Sequence, residues 1–262
     1  MIDVTDLLSA GYRGPHALSN RGWLDFVARL QRREEIALVR SLTSGNSRAL
    51  DVGGGTGELT RAVAVQLGGC TAVEPHTDRA TRLRETGGHI EILQGSAEDL
   101  PFDDGTFDVV LANWILPYVT DLERSLREIA RVVDRSHPEA KVVFIGGAPD
   151  NELVSLLNET CVPIAGESPD DQGYLLAVAE KVLARNGFSR FTEYRTEAAL
   201  HFPEAGLDER VRAAARTLVN FWYEDHPAAP EMLTAVEPAL RRHFSRRPHA
   251  VGDQGVVLVA RP

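Results

Sequence analysis

The chain has 262 residues, of which 43% are hydrophobic and 25% charged, enough to build a buried core and inconsistent with a disordered or fibrous chain. Its formal charge of −10 and pI near 5.3 oppose polyanions, so nucleic acid is not an expected partner. Cys70 and Cys161, the two cysteines, form neither a CxxC nor a disulfide framework and read as incidental thiols.

Met1 to Gly14 carries Asp3 and Asp6 and lacks a basic stretch followed by an apolar one, so no signal peptide is expected. The longest uncharged runs, such as Val109 to Thr120, are about a dozen residues against the roughly 18 that span a bilayer. The expectation is a cytoplasmic protein with no membrane partner. Apolar residues at helical spacing from Trp23 to Val39 predict one helix over Ser19–Leu42, with Ser19 or Asn20 as N-cap.

The pattern then changes to short apolar runs alternating with helices. Strands are expected at Ala49–Val52, Thr71–Glu74, Ile90–Gln94, Phe107–Asn113 and Lys141–Ile145, and helices at Glu58–Leu67, Asp78–Glu85 and Leu122–Val133. Gly68-Gly69 and Gly87-Gly88 stand where helices must stop, and Thr120-x-x-Glu123 reads as a capping box. Beyond Pro149 the reading continues with helices at Glu152–Thr160, Asp171–Arg185, Asp208–Tyr223 and Glu231–Phe244. Strands are expected at Ser189–Leu200 and Gly255–Ala260. The alternation predicts an α/β fold: a parallel sheet with crossover helices, extended by the two later strands to seven and covered by a helical cap. Residues 1–262 are read as a single domain. Its parts are an N-terminal helical lid (1–45), a cofactor-binding core (46–149), a cap insertion with the sixth strand (150–250) and the last strand (251–262).

The most informative stretch is Ala49-Leu50-Asp51-Val52-Gly53-Gly54-Gly55-Thr56-Gly57-Glu58, a buried strand ending in glycines where a helix begins. Glycines there let backbone approach a ligand that a side chain would block. A dinucleotide fingerprint needs a third glycine at position 58, which is Glu, and a phosphate-binding P-loop needs Gly-Lys-Ser/Thr, which is absent.

The order Asp51-Val-Gly-Gly-Gly-Thr-Gly57, Val73-Glu74-Pro75, Gly95-Ser-Ala-Glu-Asp-Leu-Pro-Phe102 and Phe107-Asp-Val-Val-Leu-Ala-Asn-Trp114 resembles the class I S-adenosylmethionine-dependent methyltransferases, most closely their small-molecule (type 11) subgroup. The resemblance covers about residues 47–147. It implies a Rossmann-like, doubly wound, mostly parallel seven-stranded sheet with an antiparallel last strand and a helical cap, with adenosylmethionine as cofactor and adenosylhomocysteine as product. Asp51, Gly53, Gly54, Gly55 and Gly57 would form the cofactor turn. Glu74, about twenty residues after Asp51, would accept the ribose hydroxyls, with Pro75 beside it. Ser96, Ala97 and Glu98 would border the adenine, and Asn113 and Trp114 the methionine end. Glu98 as a surface cap and Trp114 as plain core are the alternatives.

Methyl transfer is an in-line displacement that proceeds largely by positioning, so no conspicuous catalytic residue is required. Tyr118 is placed either as a base or as acceptor-pocket lining; His16, His201, His226 and His249 are further base candidates. Phe221-Trp222-Tyr223 reads either as a frame for an aromatic acceptor or as core, and Arg241–Arg247 as a basic helix end. No metal-ligand spacing occurs among the histidines, so no metal is expected. Asn113-Trp-Ile-Leu116 is not the Asn/Asp-Pro-Pro-aromatic pattern of base-methylating enzymes. The expected function is methylation of an O, N or C atom of a small-molecule acceptor, in specialised metabolism, by a monomer or homodimer. The alternative is a cofactor-binding cyclase or regulatory module on the same fold.

Overall fold

The computed structural model describes residues 18–85, 87, 89–169 and 172–262; His16, Gly88, Asp171 and residues 1–17 of the expected lid lie outside the described residues. In chain order, helix α1 (Asn20–Arg29) leads to a two-residue strand β1 (Leu30–Gln31) and helix α2 (Arg33–Thr43). Strand β2 (Ala49–Val52), helix α3 (Glu58–Leu67), strand β3 (Cys70–Val73), helix α4 (Thr77–Glu85), strand β4 (Ile90–Leu93) and strand β5 (Val109–Asn113) follow. A 3-10 turn at Leu116–Tyr118 precedes helix α5 (Leu122–Arg131) and strand β6 (Lys141–Gly147). The remainder is α6 (Glu152–Thr160), α7 (Val162–Ala165), α8 (Gln172–Arg185), β7 (Arg190–His201), α9 (Leu207–Tyr223), α10 (Ala229–Phe244) and β8 (Ala250–Arg261).

The sheet has eight strands in the order β1-β7-β8-β6-β5-β2-β3-β4. Strands β2 to β6 pair in parallel, and β8 runs antiparallel to both β6 and β7. The expected antiparallel last strand is therefore present. The eighth strand was not expected: the apolar spacing that suggested one helix over Ser19–Leu42 is interrupted at Leu30, whose extended backbone pairs with Leu200 while Gln31 pairs with Ala199. The partner strand lies far along the sequence, so helical periodicity alone does not register the break. The last strand is also longer than the expected Gly255–Ala260: it begins at Ala250, and Gly252, Asp253 and Gln254 pair with β7.

Helices cover both faces. Leu126 and Ile129 of α5 and Val178 and Val182 of α8 pack on one face against Val110, Val142 and Phe144. Val39 of α2 and Leu59 and Val63 of α3 pack on the other against Val109, Leu111 and Val143. A separate core joins α1, α6, α9 and α10 through Phe26, Leu157, Leu218, Trp222, Met232 and Leu240. None of the described helices is long and apolar enough to cross a membrane.

Helix α5 starts one residue later than the expected capping box. Asp121 Oδ1 accepts the Arg124 N–H at 2.9 Å, while the Thr120 N–H donates to Glu98 Oε1 at 2.7 Å. Asp121→Ala is expected to cost about 1 kcal/mol of unfolding free energy. Chemical denaturation would measure this, and an unchanged midpoint would remove Asp121 as the cap. Three arginines of the basic helix end are held in ion pairs, Arg241 with Asp208, Arg242 with Glu159 and Arg247 with Glu152. They are therefore engaged within the chain rather than free to steer a ligand.

Candidate active site

From β2 the chain winds one way through β3 and β4, then returns to β5 on the other side of β2 and continues to β6. Ligand clefts form outside the carboxyl ends of strands at such a reversal. A cavity of about 510 Å³ lies there. The glycine turn after β2 forms one wall. Gly53 has φ +78°, and a Cβ on it would stand 2.4 Å from Ile115 Cγ2; Gly55 has φ +57°, with Trp23 Cζ2 3.3 Å from a built Cβ. Both positions need glycine for backbone conformation and for room. Gly54 also lines the cavity, whereas Gly57 does not and instead caps α3 at φ +81°.

Glu74 is buried at the end of β3, its Oε2 accepting the Gly55 N–H at 3.1 Å and its Oε1 the His76 N–H at 3.1 Å. The carboxylate thus fastens the glycine turn to the next strand, and Pro75 lines the cavity beside it. Asp51, buried at the end of β2, accepts the Thr60 hydroxyl at Oδ2 at 2.6 Å, while its Oδ1 has no partner among the described residues. Burial pushes the Asp51 carboxyl up to about 6; the Thr60 hydroxyl and Arg32 oppose that shift and Glu74 adds to it.

At the end of β5, both amide atoms of Asn113 are buried without a partner among the described residues. Trp114 has φ +57°, donates its indole N–H to Glu35 Oε2 at 3.1 Å, and both lines the cavity and packs on the core. Ser96 and Ala97 line the far wall. Glu98 also lines it, but its carboxylate is turned to the Thr120 and Asp121 N–H groups. Burial opposes its charge and these amides, with its own and the Ser96 hydroxyl, outweigh burial, so its pKa falls below the usual value.

Tyr118 lines the cavity, and its hydroxyl accepts the Trp222 indole N–H at 3.3 Å. The histidine candidates fall elsewhere. His201 is exposed between buried Leu200 and Phe202, so strand alternation turns it away from the interior. His226 accepts the Ala228 N–H at 3.1 Å at the start of α10, and His249 Nδ1 lies 3.0 Å from Phe202 O; none of these three lines the cavity.

Arg32, Arg79 and Asp253 are charged cavity residues that sequence reasoning missed; Arg79, on α4, is buried with its Nε lacking a partner among the described residues. Arg32, in the break between α1 and α2, pairs with buried Glu35, and its Nε is buried without a partner among the described residues. Asp253, on β8, is buried with Oδ1 accepting the Asn151 Nδ2–H at 2.8 Å. Burial pushes the Asp253 carboxyl up to about 6; Asn151 opposes this, Glu35 adds to it and Arg32 opposes it. Arg32 was concealed by the apparent helix, and Asp253 lies just ahead of the Gly255–Ala260 run that the apolar pattern marks as strand. Among the described residues, no three His, Cys, Asp or Glu side chains are grouped as metal ligands.

Residues 50–136 match a family described as "Methyltransferase domain". The ubiquinone/menaquinone biosynthesis C-methyltransferase UbiE of Idiomarina loihiensis is 37% identical over 95 residues, which are 33% of this chain and 38% of that protein. The protein of the same name from Hahella chejuensis is 28% identical over 187 residues, 65% of this chain and 72% of that one. Across these and other curated relatives the match spans from 36% to 72% of the relative's length. A methyltransferase structure from Anabaena variabilis, described as putative and from an antibiotic biosynthesis pathway, superposes with TM-score 0.61 at 16% identity, over 89% of this chain and 99% of that one, a likeness of fold. The family match over residues 50–136 agrees with the sheet order and the cleft: the chain carries a methyltransferase domain whose fold is similar to that of the class I S-adenosylmethionine-dependent methyltransferases.

Proposed function

We propose that the chain, acting as one domain over residues 1–262, transfers the sulfonium methyl of adenosylmethionine to an O, N or C atom of a small-molecule acceptor. When bound, the cofactor supplies an electrophilic methyl group and leaves as a neutral thioether. The observation that carries this reading is the set of buried polar atoms without partners at the strand ends: Asp51 Oδ1, both amide atoms of Asn113 and Arg32 Nε. Together they offer acceptors for an ammonium and donors for a carboxylate, the two ends of an amino-acid group, and buried polar atoms of this kind are costly unless a ligand satisfies them. Glu74, already aimed at the glycine turn, is suited to a ribose diol. Gly53, Gly54 and Gly55 give the backbone approach, while Ser96 and Ala97 fit the adenine side.

Residues 150–250 and the N-terminal helices would select the acceptor, with Tyr118 as a lining residue. The C-methylation named for the UbiE relatives keeps a carbon acceptor within the reading. The test is calorimetric titration with adenosylmethionine, with NAD in parallel. Saturable binding of adenosylmethionine alone is expected. A folded sample that binds NAD, or binds neither, would overturn the proposal.

A further inference from the structure

The reading above gives no role to one buried carboxylate of the cavity. Asp253 lines the cavity although it is only 6% exposed. Its Oδ1 is clamped by Asn151, whose Nδ2 also donates to Gln254 O at 3.0 Å and whose Oδ1 accepts the Val154 N–H at 2.9 Å as the N-cap of α6. Every polar atom of the Asn151 side chain is thus committed to holding Asp253 and the helix start. Oδ2 of Asp253 has no hydrogen-bond partner among the described residues and is the oxygen left to the cavity.

The surrounding charge does not balance. Arg32 and Arg79 are the arginines that line the cavity, against the carboxylates of Asp51, Glu58, Glu74, Glu98 and Asp253, and Arg32 is already paired with Glu35, so carboxylates outnumber cations. Adenosylmethionine, with a sulfonium, an ammonium and a carboxylate, contributes one net positive charge, which still leaves the carboxylates in excess. The same cavity carries aromatic walls: Phe26 stacks on Phe221 at 4.1 Å, Phe221 lies 5.7 Å from Trp222, and all three line it. A buried carboxylate with a free oxygen needs a hydrogen-bonding or cationic partner, and ring faces favour the cation.

We propose that Asp253 recognises a protonated amine, so that the acceptor is an arylalkyl amine methylated on nitrogen, with Asn151 as the positioning residue. The assignment rests on the methyltransferase reading. Asp253 Oδ2 pairs with the ammonium and takes the one proton that the nitrogen must lose before its lone pair can form the bond to the methyl carbon. The carbon–sulfur bond breaks with its electron pair left on sulfur, and the proton stays on Asp253. Burial, which pushes this carboxyl up to about 6 against Asn151 and Arg32 and together with Glu35, suits it to hold a proton.

The test uses the full chain saturated with adenosylhomocysteine and titrated calorimetrically with phenethylamine, phenethyl alcohol and phenylacetate, which share one ring and differ in charge. Near pH 8 the amine is expected to bind at least about tenfold more tightly than the alcohol, and the acid not at all. Asp253→Asn is expected to bring the amine down to the level of the alcohol. In the unaltered protein the same preference is expected to shrink near pH 5, where Asp253, facing Arg32, Glu35 and Asn151, is protonated; this measurement needs no variant. Alcohol binding equal to or tighter than amine binding, no amine binding, or a preference that survives Asp253→Asn would overturn the assignment. Failure of adenosylhomocysteine to bind the unaltered protein counts instead against the methyltransferase reading, and the amine–alcohol comparison on the protein alone then still decides the role of Asp253.

Discussion

Gly55→Val is expected to weaken adenosylmethionine binding by at least about a hundredfold, close to 3 kcal/mol, while leaving a cooperatively folded protein. Two effects combine. Valine at φ +57° carries the left-handed penalty of roughly 1–2 kcal/mol, and its Cβ would press on Trp23 Cζ2 at 3.3 Å. Relief of that strain moves the Gly55 N–H away from Glu74 Oε2, so the carboxylate that fastens the turn loses one of its two backbone donors. Gly53 is a poorer choice for the same experiment, because a Cβ 2.4 Å from Ile115 would disturb the fold itself. Titration calorimetry beside a circular-dichroism melt separates the two effects. An affinity within about threefold of the unaltered protein would remove the glycine turn from the binding site.

Asp51→Asn is expected to separate stability from binding. The carboxyl is raised from its ordinary 3.8 to about 6, so between those values the folded chain holds the proton more tightly than the unfolded chain. Its contribution to stability is complete below the lower value and is lost as pH rises through the upper one. The penalty above that point is about 3 kcal/mol. The asparagine variant is therefore expected to be more stable than the parent near pH 8 and equal to it near pH 4, since the amide oxygen still accepts the Thr60 hydroxyl. Its affinity for adenosylmethionine is expected to fall by about tenfold or more, because the charge that would face the ammonium is gone. In the parent, binding near pH 6 should release a proton, visible as a dependence of the calorimetric heat on buffer ionisation enthalpy. A variant less stable at pH 8, or one that binds with undiminished affinity, would contradict this account.

Strand and helix positions from Ala49 to Gly147 were legible because each element there satisfies its own local rule: buried apolar runs, glycine stops and a left-handed turn at Gly53 to Gly57. The misreadings share one cause. Leu30 leaves the helix because Leu200 offers it a strand edge, and Gly252 to Gln254 become strand because β7 runs beside them. Neither neighbour is visible within a window of a dozen residues. The site divides the same way. Asp51, Glu74 and Asn113 sit at strand ends within a local motif, and all three line one cavity. Arg32 and Asp253 enter it only through those two long-range pairings. His201 and His226 were chosen by residue type without positional support, and strand alternation and a helix start account for where they lie instead.

The margin of the sheet at β7 bears on how this protein stays apart from its own copies. Strand β1 covers only Leu200 and Ala199 of the twelve residues of β7, so most of that edge has no β1 partner. Along the rest, Arg190, Glu193, Arg195 and Glu197 are exposed, and Arg195 bridges Glu197 at 2.6 Å and Asp150 at 2.7 Å. A second chain adding a strand there would have to dehydrate these charges along its whole length. The open edge is thus guarded by side-chain chemistry where backbone coverage ends, and charge-neutral replacements at Arg190, Glu193 and Arg195 would turn it into a template for edge-to-edge aggregation.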